Sequence, residues 1–257
     1  MIDKKSLVLI LSILILPFGI TSGQVADSLE TSTEKPEKIF INSFLAPTIL
    51  IGAGVATMYD RGWYSSYDAY ECIQKNYPDF HTNLDDYLIF LPVAAVYGLN
   101  WAGVKGKNNF IDRSLIYLVS VSLAAATNGI IKGSTDVLRP NGSDYNSFPS
   151  NHTALAFVSA TFLHMEYKDQ SIWYGIAGYS IATATGVLRM LNNEHWMSDV
   201  LVGAGIGILT TKVTYLLYPL VKDRLSSRRK QKGASNLSLV PYASPNHYGI
   251  FLQYQIH

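Results

Sequence analysis

The sequence predicts an all-α protein, a membrane helical bundle of about six helices with a short C-terminal β-hairpin-like tail. Hydrophobic residues make up 48% of the 257-residue chain and charged residues only 15%, whereas soluble domains average about 25% charged residues. Long apolar runs recur along the chain, and a helix needs about 17 to 20 apolar residues to cross a bilayer. The tail differs, because two short apolar stretches flank Ser244-Pro245-Asn246 in the manner of strands around a turn.

The first 23 residues resemble a secretory signal peptide. A basic start at Lys4 and Lys5 precedes the apolar stretch Ser6–Phe18, and the small residues 21–23 follow it. The apolar stretch is too short to span a bilayer comfortably, which favours cleavage before Gln24 over the alternative of an uncleaved first helix.

A helical domain is predicted over residues 42–221, after a polar linker over residues 24–41. The domain opens with the apolar run Asn42–Met58, which proline and glycine interrupt, and this run could span the membrane, lie at its surface or re-enter. A loop rich in tyrosine and acidic residues, Tyr59–Asp86, follows and suits a membrane interface. Residues 222–257 are expected to form a basic segment and the tail.

Five more apolar runs are expected to form helices, namely Leu88–Gly103, Ser114–Ile131, Thr153–Met165, Ile172–Met190 and Val200–Leu220. A soluble helical core is the alternative, but its helices should carry charged outer faces. Ile172–Met190 has no charged residue before Arg189, and Val200–Leu220 has only Lys212. Small residues recur in these runs, as expected of helices that pack closely within a bilayer.

Charged residues in the loops predict the orientation of the bundle. The loop 104–113, which includes Arg113, and the segment 222–232 are both basic. Short basic flanks stay in the cytoplasm, so the other loops are expected on the outer face; they are 59–86, 132–152 and 190–199. We therefore expect a multi-pass protein of a bacterial inner membrane with its active site facing the periplasm. The alternation requires either that 42–58 does not cross or that residues 6–18 are not a translocating signal, and both options are left open.

Composition also excludes several classes of function. A net charge of +1 argues against nucleic-acid binding, which needs a basic surface. The single cysteine, Cys72, rules out a disulfide within the chain. Without a cysteine cluster a structural zinc site is not expected, and the sequence indicates neither a cofactor nor an obligate protein partner.

Three polar clusters fall where the predicted helices meet the outer face. They are Lys132–Pro140, Phe148–His152, and the group of Arg189, His195 and Asp199. Each has an ordinary explanation when taken alone, such as Lys132 as a basic residue at a helix end or Ser150 as a helix N-cap. Because the clusters lie at alternate helix ends, however, the topology brings them to one side of the bundle.

Together the clusters have the composition of a phosphate site. Lys132, Arg139 and Arg189 place three permanent cations together, and such a group near a membrane needs an anion to bind. The helix N-terminus at Ser150–His152 adds backbone N–H donors for the same anion. No carboxylate cluster suited to Mg²⁺ accompanies them, so the cations are predicted to stabilise the phosphate charge without a metal.

Two histidines and a carboxylate suggest how this site would react. Asp199 lies four residues after His195, so it can hold one ring nitrogen and leave the other to attack phosphorus. His152 comes from a different loop and can protonate the leaving oxygen. These roles predict a phosphohistidine intermediate.

The motif spacing K-x6-R-P, P-S-x-H and R-x5-H-x3-D resembles the type 2 phosphatidic acid phosphatase superfamily, which includes lipid phosphatases, bacterial acid phosphatases and vanadium haloperoxidases. The resemblance covers roughly residues 85–220 and is complete in all three motifs. It implies that His195 is the nucleophile, that Asp199 orients it and that His152 is the general acid. The implied phosphate ligands are Lys132, Arg139, Ser150, the amide of Asn151, and Arg189.

Two positions depart from the usual pattern of the family. Asn151 stands where a glycine is usual, and Leu188 stands where a serine usually precedes the arginine. The Asn151 side chain is expected to narrow the phosphate cradle, and Leu188 to remove one hydrogen bond to phosphate. Both departures are expected to affect rate and substrate range more than the reaction itself.

The function predicted from the sequence is metal-independent hydrolysis of a lipid phosphate monoester or diphosphate at the outer face of the membrane. Candidate substrates are phosphatidylglycerol phosphate, undecaprenyl diphosphate, phosphatidic acid and a lipid A phosphate. One alternative is a soluble-substrate acid phosphatase or a vanadium haloperoxidase of the same fold, against which the apolar runs argue. Another is a non-catalytic protein that binds phospholipid headgroups; the two histidines and Asp199 argue against it, since binding needs only the cations.

Overall fold

The computed structural model describes residues 36–58, 64–233, 237–244 and 247–254. The predicted signal peptide, residues 1–23, and residues 24–35 of the predicted linker lie outside the described residues. The helices and strands, in chain order, are α1 (Pro36–Ala56), α2 (Ser66–Asn76), α3 (Leu84–Leu88), α4 (Leu91–Trp101), α5 (Phe110–Lys132), α6 (Asn151–Tyr167), α7 (Ile172–Leu191), α8 (Met197–Gly233), β1 (Leu237–Ser244) and β2 (His247–Tyr254). The predicted helical fold class is confirmed.

Two predicted irregular stretches are partly helical. Helix α1 begins at Pro36, so residues 36–41 are helical rather than linker. The predicted loop Tyr59–Asp86 contains α2 and the start of α3. Helix α2 starts there because Ser65 and Asp68 form a capping box: each side chain binds the backbone N–H of the other residue. Such a cap is worth about 1 kcal/mol, and its Ser-x-x-Asp spacing is already visible in the sequence.

Helix α6 is the centre of the bundle and packs against α4, α5 and α7. Its apolar residues are buried on all sides, as Ala156, Val158, Ala160 and Phe162 illustrate with 0% exposure. A helix that is apolar around its whole circumference belongs in an interior. The predicted apolar run Thr153–Met165 therefore corresponds to α6, the buried central helix.

Glycines let helices α6 and α8 approach backbone to backbone. A Cβ on Gly203 of α8 would lie 2.6 Å from the carbonyl oxygen of Ser150 and 3.4 Å from the amide nitrogen of Ala154. A Cβ on Gly207, one turn further along α8, would come even closer to the backbone of α6, at the carbonyl oxygen of Ala154. This close approach positions the start of α6, where the second motif lies, against the first turns of α8, which follow the third motif.

Two of the described helices are long and apolar enough to cross a membrane, within Phe110–Lys132 and Met197–Arg224. Helix α5 turns several large apolar side chains outward, among them Leu118, with 61% of its surface exposed, and Ile130, with 72%. An exposed apolar face of this kind suits contact with lipid.

A buried ion pair joins the start of α5 to the end of α6. It links Arg113 and Glu166, with 3.0 Å between Nε and Oε2. Arg113 also donates to the carbonyl of Asn108 at 2.6 Å, and the Asn108 side chain donates to Glu166 at 2.6 Å. Arg113, which the sequence analysis counted among basic loop residues, is therefore a structural charge with 1% exposure.

The chain divides into two compact units between Thr214 and Tyr215, within α8. The predicted domain end at residue 221 thus lies beyond the division. In the second unit, the basic segment is helical to Gly233. Strands β1 and β2 pair antiparallel, with Ser244 opposite His247, as the hairpin prediction required.

Candidate active site

The three motifs lie at the ends of four helices. Lys132 is the last residue of α5, Ser150 caps α6, Arg189 lies in the last turn of α7, and Asp199 lies in the first turn of α8. The backbone ties the second motif to the third, because the Ser150 amide donates to the Asp199 carbonyl at 3.1 Å. The clusters that the sequence analysis singled out therefore meet at one end of the bundle.

His195 and Asp199 form a buried pair, with 3.2 Å between His195 Nδ1 and Asp199 Oδ2. An ionised carboxylate only accepts hydrogen bonds, so Nδ1 carries the proton and Nε2 of the neutral ring has a free lone pair. The same Asp199 oxygen also accepts from the Ser147 hydroxyl and, at 2.9 Å, from the Trp196 amide. Three donors thus fix the carboxylate that orients the histidine.

Burial sets the protonation of His195. It lowers the pKa of His195 below the ordinary value, because a buried imidazolium loses its hydration. The hydrogen bond and the charge of Asp199 oppose the shift, while Arg189 and Arg139 add to it. The ring therefore stays neutral down to lower pH than the ring of an exposed histidine.

His152 lies in the first turn of α6 and faces a carboxylate from α3, with 3.0 Å between its Nε2 and Asp86 Oδ1. Burial is the main influence and lowers the pKa of His152, and the charge of Arg189 lowers it further. The hydrogen bond and charge of Asp86 raise the pKa, as does the charge of Asp85. Asp86 is thus the main group that favours the protonated histidine.

Both arginines of the motifs are paired with carboxylates. Arg139 contacts Glu194 through Nη1 and lies 3.0 Å from Asp144 Oδ2 through Nε. Arg189 donates to Asp85 at 2.7 Å and lies 3.3 Å from Glu194 Oε2. The Arg189 Nε is buried and has no hydrogen-bond partner among the described residues. Glu194 therefore bridges the two guanidinium groups, and the Nε–H group of Arg189 is available to donate to a ligand.

Lys132 reaches the loop that precedes α6. Its ammonium group donates to the carbonyl of Asn146 and, at 3.4 Å, to that of Ser147. Lys132 is also near enough to Arg139 and Asp199 to interact with both through their charges. The third cation of the predicted site therefore lies near Arg139 and Asp199.

Ser150 and Asn151 form the start of α6. The Ser150 hydroxyl is fully buried and accepts from the Thr153 amide at 3.4 Å and from its hydroxyl at 3.0 Å, so it is the N-cap. The Asn151 side chain accepts from Asn128 of α5 at 2.8 Å. This contact gives the asparagine a role in joining α5 to α6, whereas the sequence analysis expected it to narrow the cradle.

The structure brings all eight predicted site residues to one end of the bundle and adds carboxylates that the sequence analysis did not single out. These are Asp85, Asp86, Asp144 and Glu194. Asn192 anchors the α3 segment by donating to Asp85 at 3.0 Å and to the Thr82 carbonyl at 2.7 Å. No local signal marks such partners, because Asp85 and Arg189 are 104 positions apart in the chain.

Comparisons with known proteins identify the family of this region. Residues 113–223 match the family model described as the PAP2 superfamily. The chain is 35% identical to the lipid A 1-phosphatase of Porphyromonas gingivalis over 175 residues, 66% of this chain and 39% of that protein. It is 34% identical to the bacitracin transport permease protein BcrC of Bacillus licheniformis over 74 residues, 29% of this chain and 34% of that protein. The matches thus span well under half the length of these curated relatives.

Two solved structures are similar in fold. LpxE of Aquifex aeolicus has a TM-score of 0.44 and 21% identity, with 56% of this chain and 93% of that chain covered. The first transmembrane PAP2 type phosphatidylglycerolphosphate phosphatase from Bacillus subtilis has a TM-score of 0.47 and 21% identity, with 70% and 96% covered. The family match spans every motif from Lys132 to Asp199, which confirms the resemblance inferred from the motif spacing. The part of the chain that carries the three motifs, residues 113–223, is therefore similar to the PAP2 superfamily.

Proposed function

We propose that this protein is a phosphatase that removes a terminal phosphate from a lipid phosphate monoester or diphosphate through a phosphohistidine. The observation that carries the proposal is the buried pair of His195 and Asp199, which leaves Nε2 of a neutral imidazole free beside two arginines and a lysine. A site for binding alone would need the cations but not an oriented nucleophile.

The first step transfers the phosphoryl group to the enzyme. Nε2 of His195 attacks phosphorus, the bond from phosphorus to the lipid oxygen breaks, and the protonated His152 ring gives a proton to that oxygen. Arg139, Arg189 and Lys132 stabilise the charge on the equatorial oxygens. The lipid alcohol, or the lipid monophosphate in the case of a diphosphate, leaves.

The second step regenerates the histidine. Neutral His152 accepts a proton from a water molecule, whose oxygen attacks the phosphoryl group as the bond from phosphorus to Nε2 breaks. The products are inorganic phosphate and a neutral His195, and His152 is protonated again for the next turnover. Neither step calls for a metal, since cationic side chains supply the positive charge.

A lipid phosphate is favoured as substrate over a soluble ester. The outward apolar face of α5 suits a bilayer, and α5 ends at Lys132, so the site would lie at the membrane surface. The similarity to a lipid A 1-phosphatase supports a lipid A phosphate among the candidates. The other candidate substrates are phosphatidylglycerol phosphate, undecaprenyl diphosphate and phosphatidic acid. We place the protein in a bacterial inner membrane with the site facing the periplasm.

Phosphate release from these four lipids and from one soluble aryl phosphate tests the proposal, with the full chain in detergent and EDTA. We expect release from at least one lipid and none from His195→Ala, whose unfolding midpoint should match that of the unsubstituted protein. Phosphate that is bound to the protein, is lost in acid and is retained in alkali would identify phosphohistidine. Full activity of His195→Ala would refute the nucleophile, and loss of all activity in EDTA that Mg²⁺ restores would refute metal independence.

A further inference from the structure

Glu194 takes the place between the two arginines that the proposed reaction assigns to a phosphate. One oxygen, Oε2, contacts Nη1 of Arg139 and lies 3.3 Å from Nη2 of Arg189. Phosphate oxygens bind paired guanidinium groups in the same manner. A substrate that uses both arginines must therefore compete with Glu194 for the same donors.

The other carboxylate on Arg189 differs from Glu194 in how firmly it is held. The Asp85 side chain is 1% exposed and also accepts from Asn192 at 3.0 Å. The Glu194 side chain is 30% exposed. Asp85 is therefore built to stay on Arg189, whereas Glu194 can swing toward solvent.

The backbone of Glu194 is fixed even though its side chain is partly exposed. Its amide donates to the Arg189 carbonyl at 3.1 Å, and Asn193, with φ 62°, makes the tight turn before it. The Asn193 carbonyl accepts from Asn141 at 3.1 Å. Rotation of one side chain, without movement of the loop that carries His195, would thus free Nη1 of Arg139 and Nη2 of Arg189, while Asp144 and Asp85 keep their contacts with the two arginines.

We infer that Glu194 is an internal anion that competes for the cradle and that the terminal phosphate of the substrate displaces. The inference rests on the proposed function of the same site. A terminal phosphate has nearly two negative charges and three free oxygens at neutral pH, so it replaces one carboxylate with a net gain in attraction. A phosphodiester has a single charge, no more than the carboxylate that it would displace. Competition with Glu194 lowers both affinities by the same factor, which leaves the weakly binding phosphodiester headgroups of the surrounding membrane with little occupancy of the cradle.

Direct binding of inorganic phosphate, measured by calorimetry on the full chain in detergent at pH 8, tests the inference without turnover. Glu194→Gln keeps the size of the side chain and removes its charge. We expect it to bind phosphate roughly tenfold more tightly, the factor expected if the arginines are free in about a tenth of the unsubstituted molecules. Dimethyl phosphate, a soluble diester, should gain by the same factor.

The matched control is Asp112→Asn, the same change of charge at the far end of α5 from Lys132, and it should leave phosphate binding unaltered. In turnover, Glu194→Gln should lower KM for the lipid rather than change kcat. Weaker or unchanged phosphate binding by a folded Glu194→Gln protein would overturn the inference, since it would make Glu194 a permanent support of the arginines. Tighter binding without turnover by either protein would leave the inference standing and refute the proposed function.

Discussion

Asp199 holds His195 by the ring nitrogen that the proposed reaction does not use, with 3.2 Å between Oδ2 and Nδ1. The carboxylate is itself held by Ser147 and by the Trp196 amide. The tautomer of the histidine and the direction of Nε2 are therefore settled by residues from two different loops.

Asp199→Asn should keep the fold but reduce kcat roughly a thousandfold, because an amide can stabilise the wrong tautomer of His195 and cannot stabilise its positive charge. Ser147→Ala removes only one of the donors to Asp199 and should cost much less, about tenfold. Initial rates of phosphate release, with unfolding midpoints for both variants, check the comparison. Equal losses in the two variants would contradict the orienting role of Asp199.

His152→Ala should slow the release of alkoxide leaving groups by roughly a hundredfold or more, the usual contribution of general acid catalysis. An aryl phosphate has a leaving group that needs no proton, so its rate should fall much less. Rates for a lipid phosphate and for p-nitrophenyl phosphate, measured on the same preparation, give the ratio. If both substrates lose the same factor, His152 does not act as the acid.

Asp86→Asn should move the alkaline limb of the pH profile of kcat/KM to lower pH. Asp86 raises the pKa of His152 against burial and Arg189, so removal of its charge lowers that pKa. A proton donor works only below its pKa, and activity is then lost at lower pH. The acid limb belongs to His195, which Asp86 does not contact, and should stay in place as an internal control. A shift of the alkaline limb to higher pH would contradict the assignment.

Gly203→Ala should destabilise the protein by about 1 to 3 kcal/mol, the usual cost of overpacking, and weaken phosphate binding. The new Cβ would lie 2.6 Å from the Ser150 carbonyl oxygen, so the start of α6 has to move. Gly98→Ala in α4 is the matched control, because its Cβ meets nothing within 4 Å, and it should be neutral or stabilising by about 0.5 to 1 kcal/mol. Unfolding midpoints and phosphate titrations of both variants test this link, which an unaltered Gly203→Ala protein would disprove.

The part of the fold that follows from local pattern could be predicted from the sequence. The apolar runs predicted α4 to α8, because length and continuity of apolar residues are properties of the chain itself. Helix α2 was missed because the tyrosine-rich composition around it outweighed its capping box at Ser65 and Asp68. The predicted spacing of four between His195 and Asp199 became a contact, since such residues lie on one face of a helix turn.

The sequence by itself thus determined helices α4 to α8, the three motifs and the side of the bundle on which they meet. Only the tertiary structure decided that Asp86 faces His152, that Glu194 bridges Arg139 and Arg189, and that Arg113 is buried on Glu166. The paired residues are 53 to 66 positions apart in the chain. The one exception is the pair of Glu194 and Arg189, which are close in sequence. The reason is physical: an ionised side chain takes the partner that packing brings within reach, and packing depends on every helix at once.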